Sequence, residues 1–195
     1  MLEGNHEPFG SFARWYADAV AAEPDVPDAM QLATVDAAGN PSVRTVLLKE
    51  HGPSGWVFYT HYSSPKGRDL TTHPRAAAVM HWKSLQRQVR VEGPVERLPA
   101  EASDRYFATR DRASQIGAWA SDQSSRLADR STLDAAFEAV AARFSGHDVP
   151  RPPHWGGWTL QPTRMEFWQG RPGRLHDRVL FELHGPFWER SILAP

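Results

Sequence analysis

Four clusters of cationic and hydroxyl-bearing side chains in this sequence have spacings that could do chemistry. In the first, Arg44 and Lys49 bracket Thr45, Val46, Leu47 and Leu48. Period-two alternation puts Arg44, Val46 and Leu48 on one strand face and Thr45, Leu47 and Lys49 on the other. Burying both charges unpaired would be costly. The run is therefore either a strand with wet ends, the simpler reading taken alone, or an anion site on two sides of one strand. The second cluster is Thr60-His61-Tyr62-Ser63-Ser64-Pro65-Lys66-Gly67. Hydroxyls and a lysine at a helix start suit a phosphate, because helix N-termini present free backbone N–H groups. Polar turns of this composition are also common.

Tyr106, Arg110 and Ser114 form the third cluster, spaced four apart. On one helix they share a face, aiming a phenol, a guanidinium and a hydroxyl at one point, which suits a phosphate dianion. A solvated helix face is the plainer alternative. The fourth cluster joins Glu166-Phe167-Trp168-Gln169-Gly170 to Arg174-Leu175-His176-Asp177-Arg178. Strand alternation would gather Arg174, His176 and Arg178 on one face, where they repel unless something anionic or aromatic sits among them. A surface strand salt-bridged through Asp177 or Glu166 is the competing reading, and Asp177 falls on the opposite face. His176 has no second histidine or carboxylate at ligand spacing on its strand, which argues against a metal site.

The elements that must position these groups are short. Phe9, Phe12, Trp15, Tyr16, Ala19 and Val20 recur at helical spacing, predicting an amphipathic helix over about 9–22 that Pro24 and Pro27 end. Strands are expected at 29–36, 42–50, 56–60, 76–82, 88–97, 158–160, 165–168, 179–183 and 188–193. Ala37-Ala38-Gly39-Asn40 reads as a hairpin connection. Helices are expected at 64–73, from Pro99 to Arg110, and at 133–144. The run from Gln115 to Ser121 is too apolar for a loop tip and is expected to pack. The pattern predicts a mainly β, α+β fold: an antiparallel barrel with peripheral helices. Neither a Gly-x-Gly-x-x-Gly nor a Walker loop is present.

Bulk properties narrow the function. At 195 residues one well-filled domain is the default, so 1–195 is read as a single unit. A net charge of -1 argues against nucleic acid and anionic membrane as partners. No apolar run approaches the roughly 20 residues of a membrane span. Met1 to Asn5 lacks the charged and apolar regions of a signal peptide, and with zero cysteines this leads to the expectation of a cytoplasmic protein. Eight tryptophans, mainly in strand-like segments, would fill a core or line a flat pocket.

Taken in order, the clusters resemble the pyridoxine/pyridoxamine 5'-phosphate oxidase family. The matching pieces are the Arg44 to Lys49 run, Tyr59-Thr60 through Lys66-Gly67, Arg87-Gln88-Val89, Tyr106-Phe107 to Arg110, and Ser114 to Ser121. Gln123-Ser124, Trp155-Gly156-Gly157, the Glu-Phe-Trp-Gln-Gly and Arg-Leu-His-Asp-Arg pair, and the closing Leu193-Ala194-Pro195 complete them. The resemblance runs from about Ala29 to the last residue.

That resemblance implies an FMN-binding split barrel and a homodimer with FMN at the subunit interface. Arg44, Thr45, Val46, Leu47, Leu48, Lys49, Tyr59, Thr60, Lys66 and Gln88 would contact FMN from one subunit. Gln123, Ser124, Trp168 and Arg178 would complete that site. Lys49, Tyr106, Arg110 and Ser114 would hold the substrate phosphate, with Arg174 and His176, the catalytic candidates, against the pyridine ring. The implied reaction oxidises pyridoxine or pyridoxamine 5'-phosphate to pyridoxal 5'-phosphate with dioxygen, giving hydrogen peroxide. A related flavin oxidase of the phenazine-biosynthesis kind, or a non-catalytic carrier of FMN or pyridoxal phosphate, are the alternatives.

Three positions depart from the family pattern. Pro65 stands where an arginine is common, removing a charge-assisted hydrogen bond to the FMN phosphate worth roughly 1.5–3 kcal/mol. Asp111 replaces a usual proline, adding negative charge beside Arg110 and altering the local bend. Ile192 replaces a common arginine near the C-terminus.

Overall fold

The computed structural model describes residues 7–23 and 25–195. The expected role of Pro24 and the reading of Met1 to Asn5 lie outside them. Helix α1 (Pro8–Ala22) starts where Glu7 accepts hydrogen bonds from the Phe9 and Gly10 amides at 2.7 and 2.9 Å, with Pro8 in its first turn. Its buried face, Phe12, Trp15 and Ala19, is the stripe that the periodicity marks.

Strands β1 (Ala29–Val35) and β2 (Pro41–Leu47) form the expected hairpin, pairing Leu32 with Arg44 and Gln31 with Thr45. Next come β3 (Trp56–His61), α2 (Pro65–Thr72), β4 (Arg75–Trp82) and β5 (Arg87–Arg97). Then follow α3 (Ala100–Thr109), α4 (Arg112–Ala120), α5 (Arg130–Arg143), β6 (Trp155–Leu160), β7 (Arg164–Gln169), β8 (Asp177–His184) and β9 (Phe187–Ile192). The sheet path is β2-β1-β4-β5-β7-β8-β9, and β6 pairs with both β3 and β5.

Strand β5 divides the sheet. Its first part, Arg87 to Glu92, pairs with β7, whereas Val95 to Arg97 pairs with β6. Gly93 sits at the parting, where a Cβ would collide with the carbonyl of Gln161, so only glycine lets the two arms separate there. One arm curls into a ring. The Lys49 amide donates to Val57 at 2.8 Å and the Val57 amide to Glu50 at 2.9 Å, joining the end of the β2 segment to β3. Antiparallel pairing then runs β3-β6-β5-β4-β1-β2, a closed barrel, while β7, β8 and β9 extend from the split as an open sheet.

Two apolar clusters result. Phe12, Met30, Leu32, Trp56, Phe58, Met80, Val91, Leu160 and Phe167 belong to the main core, each buried to 1% exposure or less. Phe107, Ile116, Phe144, Val149 and Trp155 form a second cluster under the helices. The run from Gln115 packs as expected, but as a separate helix, α4. No helix among the described residues is long and apolar enough to cross a membrane.

Candidate active site

A cavity of about 780 Å³ opens beside the barrel. Its wall takes Thr45, Val46 and Leu47 from β2, then Lys49, then Tyr59, Thr60 and His61 from β3. Lys66, Tyr106, Arg110, Ser114, Gln123 and Trp155 also line it, with Asp111 beside Arg110.

One end belongs to Lys66. Ser64 caps α2, its Oγ accepting from the Gly67 amide at 3.3 Å, and Pro65 fills the first helical position, where no N–H is required. The arginine expected there by family pattern is thus replaced by a residue that fixes the turn. Lys66 is 7% exposed, and its Nζ donates to Gln123 Oε1 at 2.9 Å, Thr60 Oγ1 at 3.0 Å and Ser64 Oγ at 3.4 Å. All three acceptors are neutral. Burial, and then the charge of Arg44, push the Lys66 ammonium down to about 8. Arg44 itself faces the β1 strand, donating to the Leu32 carbonyl at 3.2 Å and to Thr34 Oγ1 at 2.6 Å, with Asp69 at 3.8 Å.

Arg110 occupies the other end. The expectation of one continuous helix through Tyr106, Arg110 and Ser114 needs correcting. Chain extension at Arg110 (φ -71°, ψ 149°) ends α3, and Asp111 starts α4 by accepting from the Ser114 amide at 2.8 Å. An N-cap carboxylate makes a new helix out of what spacing reads as one. All three side chains nevertheless reach the same cavity. The Arg110 guanidinium lies 4.8 Å from the Trp155 ring and 5.6 Å from Phe107, and its buried Nη1 has no hydrogen-bond partner. Burial lowers its pKa, against Tyr106 and Asp111. Tyr59 stacks on Tyr106 at 3.9 Å, and burial, with Glu50 next, raises the Tyr59 hydroxyl to about 12.

Part of the fourth cluster, Phe167, Gln169, His176, Asp177 and Arg178, lines a separate cavity of about 410 Å³ between β7, β8 and the C-terminal residues, whose lining does not include Trp168 or Arg174. Here the shared strand face of Arg174, His176 and Arg178 is corrected. Pro172–Arg174 is a 3-10 turn with Gly173 at φ 70° and Arg174 at φ 62°, and β8 begins only at Asp177. Arg174 is exposed. His176 packs its ring 4.6 Å from Trp168, and its Nδ1 accepts from the Arg171 amide at 3.1 Å. Arg178 donates to Glu166 at 2.8 Å, so the salt-bridged alternative holds for this residue.

The structure also regroups two glutamines. Gln123, expected with Ser124, Trp168 and Arg178 to complete the FMN site, bonds Thr60 and Lys66 of its own chain. Gln88, expected with Lys66, pairs in register with Trp168, which pairs with Arg178. Arg44 and Leu48 are turned away from the cavity wall, Arg44 toward β1 and Leu48 into the core. Ser124 is exposed, with φ 70°. Sequence reasoning gave no role to Trp155 or to His61. The His61 ring is 4.8 Å from His154, and burial, His154 and Lys66 push its pKa down to about 4. The signal for Trp155 was its place in the Trp-Gly-Gly motif.

A split barrel with Lys49, Lys66 and Arg110 gathered in the wall of one cavity defines a class of small-ligand-binding barrel proteins, and comparison with known proteins narrows it. Residues 16–144 match the pyridoxamine 5'-phosphate oxidase model, and 155–195 match the pyridoxine 5'-phosphate oxidase C-terminal dimerisation region. The chain belongs to the pyridoxine/pyridoxamine 5'-phosphate oxidase family. It is 56% identical to the Azorhizobium caulinodans protein of that name, over 97% of this chain and 90% of the relative. The Sphingopyxis alaskensis oxidase is 52% identical, over 97% and 88%. Among solved structures, PhzG from Burkholderia lata 383 in complex with tetrahydrophenazine-1-carboxylic acid has a TM-score of 0.93 and 33% identity, covering 99% of this chain and 95% of that one. A pyridoxamine 5'-phosphate oxidase-related, FMN-binding protein from Nostoc punctiforme has a TM-score of 0.78 at 18% identity, over 97% and 98%, a likeness of fold alone.

Proposed function

We propose that this protein is an FMN-dependent oxidase converting pyridoxine or pyridoxamine 5'-phosphate to pyridoxal 5'-phosphate, with dioxygen as acceptor and hydrogen peroxide as product. The observation that carries this reading is the pair Lys66 and Arg110: one buried and one half-buried cation in one cavity, neither with a carboxylate at ion-pair distance among the described residues. Burying such charges is costly unless an anion answers them. Two phosphates, one on the flavin and one on the substrate, would answer both.

The residues present fit FMN. Lys66, Thr60 and Gln123 would hold its phosphate, and the aliphatic Val46 and Leu47 would lie against its flat ring. Bound there, FMN would supply the hydride acceptor and the route to dioxygen. The chain's own part is placement. Arg110, Tyr106, Ser114 and Lys49 would grip the substrate phosphate, a contact remote from the reacting carbon that converts binding energy into orientation. Arg174 would stabilise charge developing on the substrate oxygen or nitrogen, and His176 would orient the ring.

In this reading the chain acts as one unit and as a homodimer, with Trp168, Arg174, His176 and Arg178 of one copy completing the Lys66 cavity of the other. Support comes from the separation of the two cavities in one chain and from the match to a dimerisation region. Exposed apolar side chains at Val43, Leu47, Leu175 and Ile192 supply surface to cover.

A second reading, oxidation of a phenazine-type carboxylate, is favoured by the likeness to PhzG. The higher identity to the named phosphate oxidases favours the first. Anaerobic addition of pyridoxine 5'-phosphate to the FMN-loaded protein separates them. Bleaching of the flavin with pyridoxal phosphate formed in step is the expected result. Flavin that stays yellow with this substrate but bleaches with a tricyclic dihydro-carboxylate would give the second reading. Flavin that stays yellow with both would leave a carrier.

A further inference from the structure

Arg110 is half-buried, and its guanidinium is held in an unusual way. Its guanidinium sits over aromatic faces, Trp155 at 4.8 Å and Phe107 at 5.6 Å, with no ion pair among the described residues and with Nη1 unpartnered. A guanidinium fixed by π faces keeps its N–H edge free for a planar anion. The ring doing most of this is itself clamped. Trp155 is 5% exposed, stacks on Tyr59 at 5.2 Å with a 10° interplanar angle, and meets the Phe107 edge at 5.2 Å. Tyr59 can lie that close to β6 because the opposite residue is Gly157, where a Cβ would come within 2.8 Å of the Tyr59 ring. Arg151 then fixes the backbone, donating to the Trp155 carbonyl at 2.6 Å and to Asp104 on α3 at 2.6 Å. Trp155 therefore joins β6, where it begins, to the α3 end, where Arg110 stands.

We propose that Trp155 is a positioning residue for substrate: it orients Arg110 toward the substrate phosphate and so sets the preference for phosphorylated over unphosphorylated ring. This rests on the phosphate-binding reading given above. Trp155 touches no reacting atom in this scheme and acts only through Arg110.

The test uses FMN-loaded protein and calorimetric titration with pyridoxal 5'-phosphate and with pyridoxal, for the wild type, Trp155→Leu, Trp155→Phe, Arg110→Ala and the double variants. Trp155→Leu should weaken binding of the phosphorylated ligand about tenfold, with pyridoxal and FMN affinities changed less than about twofold. Trp155→Phe, which keeps a π face, should recover part of the loss. In the Arg110→Ala background neither Trp155 change should add anything to the loss of pyridoxal 5'-phosphate affinity. Should Trp155→Leu not fold, Trp155→Phe and its double variant carry the same comparison. Equal losses for both ligands, or a full additional loss on top of Arg110→Ala, would overturn the positioning role alone. A wild type that binds pyridoxal as tightly as its phosphate would remove the phosphate reading and this inference together.

Discussion

Glu166 on β7 accepts from Arg178 Nε on β8 at 2.8 Å, while Nη1 of the same guanidinium donates to the Ala194 carbonyl at 2.9 Å. Arg90 stands 3.3 Å from the other carboxylate oxygen. Glu166 is 3% exposed, so one buried carboxylate ties three strands and, through Arg178, the C-terminal residues that line the smaller cavity.

Replacing Glu166 by Gln should therefore loosen the C-terminal end of the sheet. A stability loss of about 2 kcal/mol is expected, because Arg178 loses the buried charge that answers it, while Arg90 keeps Glu92 at 3.1 Å. Urea unfolding gives the total, and hydrogen exchange at the amides of residues 190–194 locates it. Unchanged exchange there would show that Glu166 does not hold the tail.

Lys66 makes a prediction in two directions. Its ammonium is held at about 8, against 10.5 in the unfolded chain. Between those values the unfolded state binds more protons, so stability of the ligand-free protein rises with pH across that window and is lower below it. Lys66→Met should stabilise the ligand-free protein at pH 7 by about 2 kcal/mol and weaken FMN at least about a hundredfold. For the wild type, FMN affinity should decline as pH rises above about 8. Fluorescence titration of FMN across pH, beside denaturant curves, checks both. A variant that loses stability and retains FMN would contradict the assignment.

Asp111 caps α4 from a fully solvated position, and its hydrogen bonds to Ser114 hold its pKa below the usual carboxylate range. Asp111→Ala should lower the melting temperature, whereas Asp111→Asn, which keeps a capping oxygen, should melt close to wild type. Because the pKa is depressed, the cap's contribution is present above the ordinary carboxylate pKa and disappears as pH falls through the lowered one. Thermal melts of both variants at neutral and acid pH suffice. Equal destabilisation by Ala and Asn would mean that charge, not capping, matters here.

Arg174 is exposed on its 3-10 turn, with no side-chain hydrogen bond or ion pair among the described residues. Arg174→Ala should cut oxidation of pyridoxine 5'-phosphate by about a hundredfold, the cost of removing one charge-stabilising donor, while FMN affinity stays the same. Parallel loss of both would refute its assignment to the substrate ring.

Much of this architecture was legible in the sequence because local patterns carried it. The 3.6-residue recurrence from Phe9 to Val20 marks α1, and the turn at Ala37 to Asn40 marks the first hairpin. Cap chemistry was less legible. Reading Tyr106, Arg110 and Ser114 as one helix failed because the extended backbone at Arg110 ends α3 and the Asp111 side chain opens α4. Strand alternation failed for Arg174 and His176 because Pro172 and Gly173 turn the chain before β8 begins. Both errors arise where one residue's backbone geometry overrides a periodic pattern.

The sequence by itself determined the residue types in the cavity, the hydrophobic periods that build the barrel, and the family, since these reside in local order along the chain. Which groups meet was decided by the tertiary structure alone. Residue 123 joins residues 60 and 66, residue 88 joins 168, and the Trp155 ring settles over Arg110 across 45 positions of chain, only once β5 has split and β6 has closed the ring. Such pairings depend on register and on close packing across distant strands, and neither is encoded in spacing along the chain.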